Sequence, residues 1–267
     1  MKLGITGASG VIGTLLCKKL LEYGIEISCF DGDIRSKSAL AKWIKNNDWD
    51  GVIHLAAIVA TNDVKNSPLL AYEVNVTGTI NLLAELEKEW GSNKKWFFYA
   101  STSHVYKSSN HPIKETHELE PISLYGKTKL LAENIVNQFG SLENMPFDVC
   151  VGRIFSFYHS SQKPPFLYPT ILSRLENEDL NNEFFLYGAD SLRDFLNAEE
   201  VVNIIIKLAI AKTKGIYNIA SGKSVKIRDF VQALTQHRLK IITDNNFDCL
   251  VADVEKIKKV LGENYAK

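Results

Sequence analysis

Tyr125-Gly-Lys-Thr-Lys129 sets a phenol and an ammonium four residues apart, which on a helix places both on one face. A phenol ordinarily titrates near 10, and a neighbouring positive charge favours the phenolate and draws that value toward neutral pH. Tyr125 could then exchange a proton with a hydroxyl as a general acid or base. Taken alone, the five residues fit a solvated amphipathic helix better, so the rest of the chain must decide. Upstream, Ser101-Thr-Ser-His-Val-Tyr106 follows the apolar run Lys95 to Ala100, where Thr102 could hydrogen-bond the same substrate oxygen.

A second chemical signal lies at the start of the chain. Gly7-Ala-Ser9-Gly10-Val11-Ile12-Gly13 sits between an apolar run and a stretch of helical period. Glycines there allow a tight turn and a close backbone approach, and the N–H groups and positive end of the helix dipole can meet a pyrophosphate. The spacing is G-x-x-G-x-x-G rather than the usual G-x-G-x-x-G of dinucleotide sites. The next apolar run, Ile25 to Phe30, ends at Asp31, placed to accept hydrogen bonds from an adenosine ribose and to repel a 2′-phosphate. This favours NAD, with NADP as the alternative, because Asp33, Ile34 and Arg35 follow at once. Asp33 could contact the adenine instead, and Arg35 could reach a phosphate.

The elements that must position these groups are legible as an alternation. Strand-length runs (Leu3 to Thr6, Ile25 to Phe30, Gly51 to Ala57, Lys95 to Ala100, Asp148 to Arg153) alternate with helical segments (Val11 to Tyr23, Ala39 to Asn46, Leu69 to Trp90, Tyr125 to Phe139). That alternation predicts an α/β, Rossmann-type doubly wound parallel sheet over residues 1–155. A smaller C-terminal lobe over 156–267, separate from or interleaved with the first, completes the expected division. In it the register loosens through Gln162-Lys-Pro-Pro165 and an acidic, asparagine-rich stretch. Ala198 to Ala211 has helical period, Gly215 to Ile219 reads as a strand, and Lys226 to Gln236 as a helix.

Composition narrows the function. Thirty-one basic and thirty-one acidic side chains cancel, so no global field draws the molecule to nucleic acid or an anionic membrane. Any anionic ligand must be held locally. The N-terminus reads as a buried strand rather than a signal peptide, and no apolar run approaches a membrane span, which predicts a cytoplasmic protein. Cys17, Cys29, Cys150 and Cys249 are scattered in apolar segments and read as small reduced hydrophobes, with no disulfide framework. No metal site is expected.

These pieces together resemble the extended short-chain dehydrogenase/reductases, which include nucleotide-sugar epimerases, dehydratases and reductases. The resemblance is carried in order by Thr6 to Gly13, His54-Leu55-Ala56-Ala57, Asn75-Val-Thr-Gly-Thr79, Ser101 to Tyr106, Tyr125 to Lys129, Arg193-Asp-Phe195 and Tyr217-Asn-Ile-Ala-Ser-Gly222. It implies that Tyr125 is the general acid/base, Lys129 its electrostatic partner and Thr102 the contact to the substrate hydroxyl, with Ser103 beside it. It also implies that Leu55, Ala56, Ala57 and Asn75 serve the cofactor side, Asn75 as a helix-breaking polar group near Lys129. Arg193 would meet the diphosphate of a nucleotide sugar.

Two departures stand out. Similar proteins often carry asparagine where Ser156 stands in Arg153-Ile-Phe-Ser-Phe-Tyr158, and the chain is short, an economy similar to that of dehydrorhamnose-type 4-keto reductases. His104 stands where similar enzymes place a further acid/base, glutamate in 4,6-dehydratases or cysteine in some epimerase-reductases; it could do such proton work or only close the loop. The absence of an Asp-Glu pair there argues against a dehydratase. His54 reads as a satisfied core histidine, and Tyr158, Lys163 and Tyr168 either grip substrate or fill the lobe core.

The resulting expectation is an NAD(P)-dependent enzyme moving hydride at a ring carbon, C4 foremost, of a nucleotide-linked hexose. Net 4-keto reduction leads, and 4-epimerisation with retained NAD is the alternative. A non-catalytic dinucleotide-binding regulator is the alternative of another class. A homodimer is implied by resemblance.

Overall fold

The computed structural model describes residues 1–45 and 47–267. Five strands alternate with helices in the first half: β1 (Lys2–Thr6), α1 (Val11–Glu22), β2 (Glu26–Cys29), α2 (Lys37–Lys45), β3 (Gly51–His54), β4 (Lys95–Thr102) and β5 (Phe147–Ile154). With the strand Gly215–Ile219 they form one parallel six-stranded sheet, ordered Gly215–Ile219, β5, β4, β3, β1, β2. The chain moves outward from β1 to β2 and then returns to β3 on the other side. The crevice at the carboxyl ends of β1 and β3 is therefore a topological switch point, where sheets of this kind take ligands.

Burial on both faces explains the strand sequences. In β4 the consecutive residues Trp96, Phe97, Phe98 and Tyr99 are all buried, alternate ones facing opposite sides. One face packs on Leu16 and Leu20 of α1 and on Val201, Val202 and Ile205 of the helix Ala198–Ile210. The other packs on Leu40 and Ile44 of α2, Leu82, Leu83 and Leu86 of the helix Gly78–Trp90, and Ala132 and Val136 of the helix Leu124–Ser141. Full burial of each such side chain contributes about 1.5–3 kcal/mol, so this sandwich sets the frame on which the loops hang.

The chain beyond residue 155 returns to that frame. Gly215–Ile219 hydrogen-bonds along β5, and the helix Ala198–Ile210 packs beside α1. The remaining C-terminal segments make a small lobe with a core of its own, built on Ile171, Phe184, Leu186, Ile227 and Val231.

Several elements differ from their sequence reading. The segment read as one helix from Leu69 to Trp90 begins at Pro68 and is interrupted by a π-helical turn at Glu73–Thr77 before Gly78–Trp90. The run Gly51 to Ala57 stops being a strand at His54, because its last three residues leave the sheet to line the cleft. The helix read over Ala39 to Asn46 runs Lys37–Lys45, and Asn46 lies outside the described residues. The C-terminal helix is cut to Ile227–Gln232, and a helix unseen in the sequence, Leu167–Asn177, carries Pro169 in its first turn, where the missing N–H costs nothing.

His54 is the satisfied core histidine expected. It bridges Thr6 Oγ1 at 2.6 Å and Thr79 Oγ1 at 2.9 Å, and burial, aided by the charge of Lys129, pushes its pKa down to about 3. Cys150 and Cys249 are buried as expected, whereas Cys29 is exposed at the edge strand β2 and Cys17 only half-buried. Among the described residues no helix is long and apolar enough to cross a membrane.

Candidate active site

One open cleft of about 1140 Å³ runs along the carboxyl ends of the strands, from the glycine loop across β4 to the small lobe. Its first wall is the turn after β1. Gly7 has φ +74°, and a Cβ there would lie 2.6 Å from the Ala56 nitrogen, so the β1 and β3 loops touch only because Gly7 is glycine. Gly10 is different: its φ is −72°, and an added Cβ would meet only the Gly7 oxygen at 3.4 Å. Nothing inside the protein demands glycine at that exposed position. It caps α1 with no side-chain capping bond and no acidic residue in the first turn, so bare backbone N–H groups face the cleft. These features fit a pyrophosphate, and Ser9, Val11, Ile12 and Gly13 line the same wall.

The adenosine end carries the acidic residues named from sequence. Asp31, Asp33 and Ile34 line the cleft, Asp31 exposed at its rim. Arg35 does not point to a vacant phosphate position: it pairs with Asp33 at 2.6 Å and with Glu73 at 2.8 Å. The guanidinium in turn holds the Asp33 carboxyl below its usual value. Three carboxylates thus stand against one guanidinium, an environment that favours an unphosphorylated ribose.

The reactive groups are assembled by contact between β4 and the helix Leu124–Ser141. Ser123 caps that helix, accepting the Gly126 N–H at 3.0 Å. A Cβ on Gly126 would sit 2.4 Å from the His104 carbonyl oxygen, so the helix start rests directly on the turn Ser103–Val105. Tyr125 is thereby brought beside the Thr102 side chain and to His104, with ring centres 6.1 Å apart. Lys129, only 3% exposed, lies with its Nζ 4.1 Å from the centre of the Tyr99 ring.

The expected lowering of the phenol pKa is reversed. Burial pushes Tyr125 up to about 12, against the opposing effect of the Thr102 side chain. Burial also pushes Lys129 down to about 7, opposed by the charge of Glu133. Desolvation penalises each charged form and outweighs the attraction read from spacing. At neutral pH Tyr125 therefore holds its proton. His104 is lowered as well, first by desolvation and then by the charge of Arg193, with Asp248 opposing.

Of the candidate cofactor, catalytic and substrate residues singled out in the sequence, all line this cleft except Asn75 and Arg35. Asn75 is buried in the π-helical turn and fully occupied: Oδ1 accepts the Ile58 N–H at 2.7 Å, and Nδ2 donates to the Ile58 oxygen and to Thr128 Oγ1, each at 3.0 Å. It fastens the loop after β3 to the helix bearing Tyr125 and Lys129. Ser103, Ser156 and Arg193 line the far side, and the Arg193 guanidinium is held by Asp248 at 2.5 Å.

Sequence reasoning missed two features. Phe230 comes from the short helix Ile227–Gln232 to stack on Phe195 at 4.1 Å, and meets Tyr158 at 5.5 Å and Tyr168 at 6.5 Å. Tyr158, Lys163 and Tyr168 all line the cleft, so the two tyrosines are both wall and packing. No local pattern marks Phe230. The second is the buried pair of Glu133 and Arg153 behind the reactive groups, with Ser101 donating to Glu133 at 2.5 Å. Glu133, four residues after Lys129 on the same face, was a legible signal.

The chain is similar to proteins of known kind. Residues 25–263 match the family model for GDP-mannose 4,6 dehydratase. GDP-6-deoxy-D-mannose reductase of Pseudomonas aeruginosa is 30% identical over 205 residues, 73% of this chain and 66% of the relative. The structure of RMD from Pseudomonas aeruginosa complexed with NADPH superposes with a TM-score of 0.85 at 25% identity, over 98% of this chain and 92% of that one. MoeE5 in complex with UDP-glucuronic acid and NAD gives 0.84 at 25% identity, over 98% and 93%.

Proposed function

The chain belongs to the extended short-chain dehydrogenase/reductases, in the group described by the GDP-mannose 4,6 dehydratase model, and from that premise we propose that it reduces a nucleotide-linked 4-keto hexose. The observation that carries the reading is the meeting of Thr102, Tyr125 and Lys129 in one cleft with a pyrophosphate cradle. A bound NADH or NADPH supplies hydride to the sugar carbon. Tyr125, kept protonated by burial, gives its phenolic proton to the oxygen of that carbon, and Thr102 orients the same oxygen. Lys129 supports the phenol and the cofactor ribose. Arg193 meets the diphosphate, Ser103 and Ser156 contact the sugar, and His104 stands as a further proton-handling group. The reductase activity of the Pseudomonas relative supports the direction of reaction. Ser103 and His104 follow Thr102, so the two positions offer no carboxyl pair for water elimination.

The acidic cluster around Arg35 supports NAD as the preferred dinucleotide. It also favours one second reading, 4-epimerisation with NAD retained through each turnover. We place the enzyme in the cytoplasm and read it as a homodimer, the latter supported by exposed Leu69, Leu70, Ile122 and Leu131 on or beside the outer helices. The deciding experiment is identification by mass of any dinucleotide released from freshly purified protein, followed by a coupled assay with a nucleotide 4-keto-6-deoxyhexose. Dinucleotide-free protein that oxidises added NADH stoichiometrically with substrate supports reduction. Stoichiometric retained NAD with no net cofactor turnover supports epimerisation, and neither behaviour, with dinucleotide still bound, leaves a non-catalytic binder.

A further inference from the structure

Cys17 and Cys29 lie twelve residues apart in sequence, yet their sulfurs are 3.5 Å apart. Cys17 sits on α1, one turn beyond the glycine loop, and Cys29 ends β2, two residues before Asp31. The two thiols thus join the two elements whose ends form the dinucleotide-facing wall: Val11, Ile12 and Gly13 on one side, Phe30 and Asp31 on the other. Cys29 is exposed on the edge strand of the sheet and Cys17 half-buried behind it, whereas Cys150 and Cys249 are enclosed. A disulfide needs an S–S distance of about 2.05 Å, so the sulfurs must close by about 1.5 Å, through rotation of the side chains or through movement of α1 and the end of β2.

We propose that Cys17 and Cys29 form a thiol–disulfide exchange site for low-molecular-weight disulfides, and that closing the bond weakens dinucleotide binding. The exposed Cys29 loses its proton to solvent and attacks one sulfur of a small disulfide such as oxidised glutathione. This forms a mixed disulfide and releases one reduced thiol. Cys17 then loses its proton and attacks the Cys29 sulfur, forming the internal bond and releasing the second reduced thiol. Two protein thiols are oxidised by two electrons, and one small disulfide is reduced to two thiols. Burial and the neighbouring Cys29 push the Cys17 thiol up to about 12, so the exposed Cys29 attacks first; once Cys29 is in the mixed disulfide its negative charge no longer opposes ionisation of Cys17, and the adjacent sulfur is held in reach. The closing movement shifts Asp31 relative to the helix start. By linkage, bound dinucleotide must oppose oxidation as much as oxidation opposes binding. The affinity half of the proposal rests on the dinucleotide occupying this cleft; the disulfide half does not.

The full chain is equilibrated in reduced and oxidised glutathione, quenched with N-ethylmaleimide and digested without reductant for mass analysis, and NADH affinity is measured by fluorescence on both forms. The expected result is one peptide pair joined through Cys17 and Cys29 with the loss of two hydrogens, and Cys150 and Cys249 alkylated only after denaturation. Cys17→Ser should instead accumulate glutathione on Cys29, and Cys29→Ser should remain unmodified under native conditions. The oxidised wild type should bind NADH about tenfold more weakly, the loss of about one charge-assisted hydrogen bond, with no such change in the double serine variant. Glutathione retained on Cys29 of the wild type, or two unjoined thiols, overturns the exchange site. A joined pair with unchanged NADH affinity overturns the coupling to the cleft.

Discussion

The carboxylate of Glu133 and the guanidinium of Arg153 meet at 2.5 Å with side chains 1% and 2% exposed. Arg153 also donates to the Tyr106 hydroxyl at 2.8 Å, which in turn donates to Asn218 at 2.7 Å. The pair therefore ties the helix bearing Tyr125 and Lys129 to the last strand of the sheet. Glu133→Gln should leave the guanidinium buried and unneutralised, at a cost of about 3–5 kcal/mol. The double variant Glu133→Gln/Arg153→Met should lose less than either single change. Urea midpoints of the four proteins check this; additive losses would contradict it.

Tyr125→Phe removes the proton donor and leaves the ring to pack against His104. Turnover should fall by about a hundredfold or more while the far-ultraviolet spectrum and NADH affinity stay unchanged. Undiminished turnover would remove Tyr125 from the reaction.

Lys129 carries a pH signature. Its folded pKa of about 7 lies below its ordinary value of 10.5, so the unfolded chain binds more protons between those values and stability rises with pH across that window. The burden of burying the ammonium is complete below pH 7 and is lifted as pH approaches 10.5. Lys129→Met should therefore stabilise the ligand-free protein near pH 6, by up to about 5 kcal/mol if the whole shift is released. That advantage should shrink toward zero near pH 10. Thermal unfolding of both proteins at pH 6, 8 and 10 measures the trend, and a pH-independent difference would refute it.

Arg35 is held by Asp33 and Glu73 rather than presented to a phosphate. Replacing Asp33 by Ser and Glu73 by Gln together should free the guanidinium and remove two repelling charges, with Asp31 left at the ribose position. The ratio of NADPH to NADH affinity should then rise about tenfold, or about 1.4 kcal/mol, with little effect on NADH alone. Titration of both dinucleotides against both proteins gives the ratio directly.

The amino-acid sequence by itself determined what depends on neighbours along the chain. Apolar runs of strand length, helical periods, a glycine-spaced turn and the four-residue step from Tyr125 to Lys129 are local patterns, and most form close to where they are read. Tertiary structure decided which groups meet and how they are charged. Gly126 against the His104 carbonyl brings Thr102 to Tyr125. Asn75, read as a cofactor-side residue, instead locks Ile58 to Thr128. Phe230 sits on a helix legible in the sequence, but nothing local marks it as a cleft residue, and Cys17 and Cys29 come together only because α1 packs on β2. The expected lowering of the Tyr125 pKa fails for the same reason. Spacing reveals the attraction between two charges, but the larger effect is desolvation, which is set by the distant segments that fold over them.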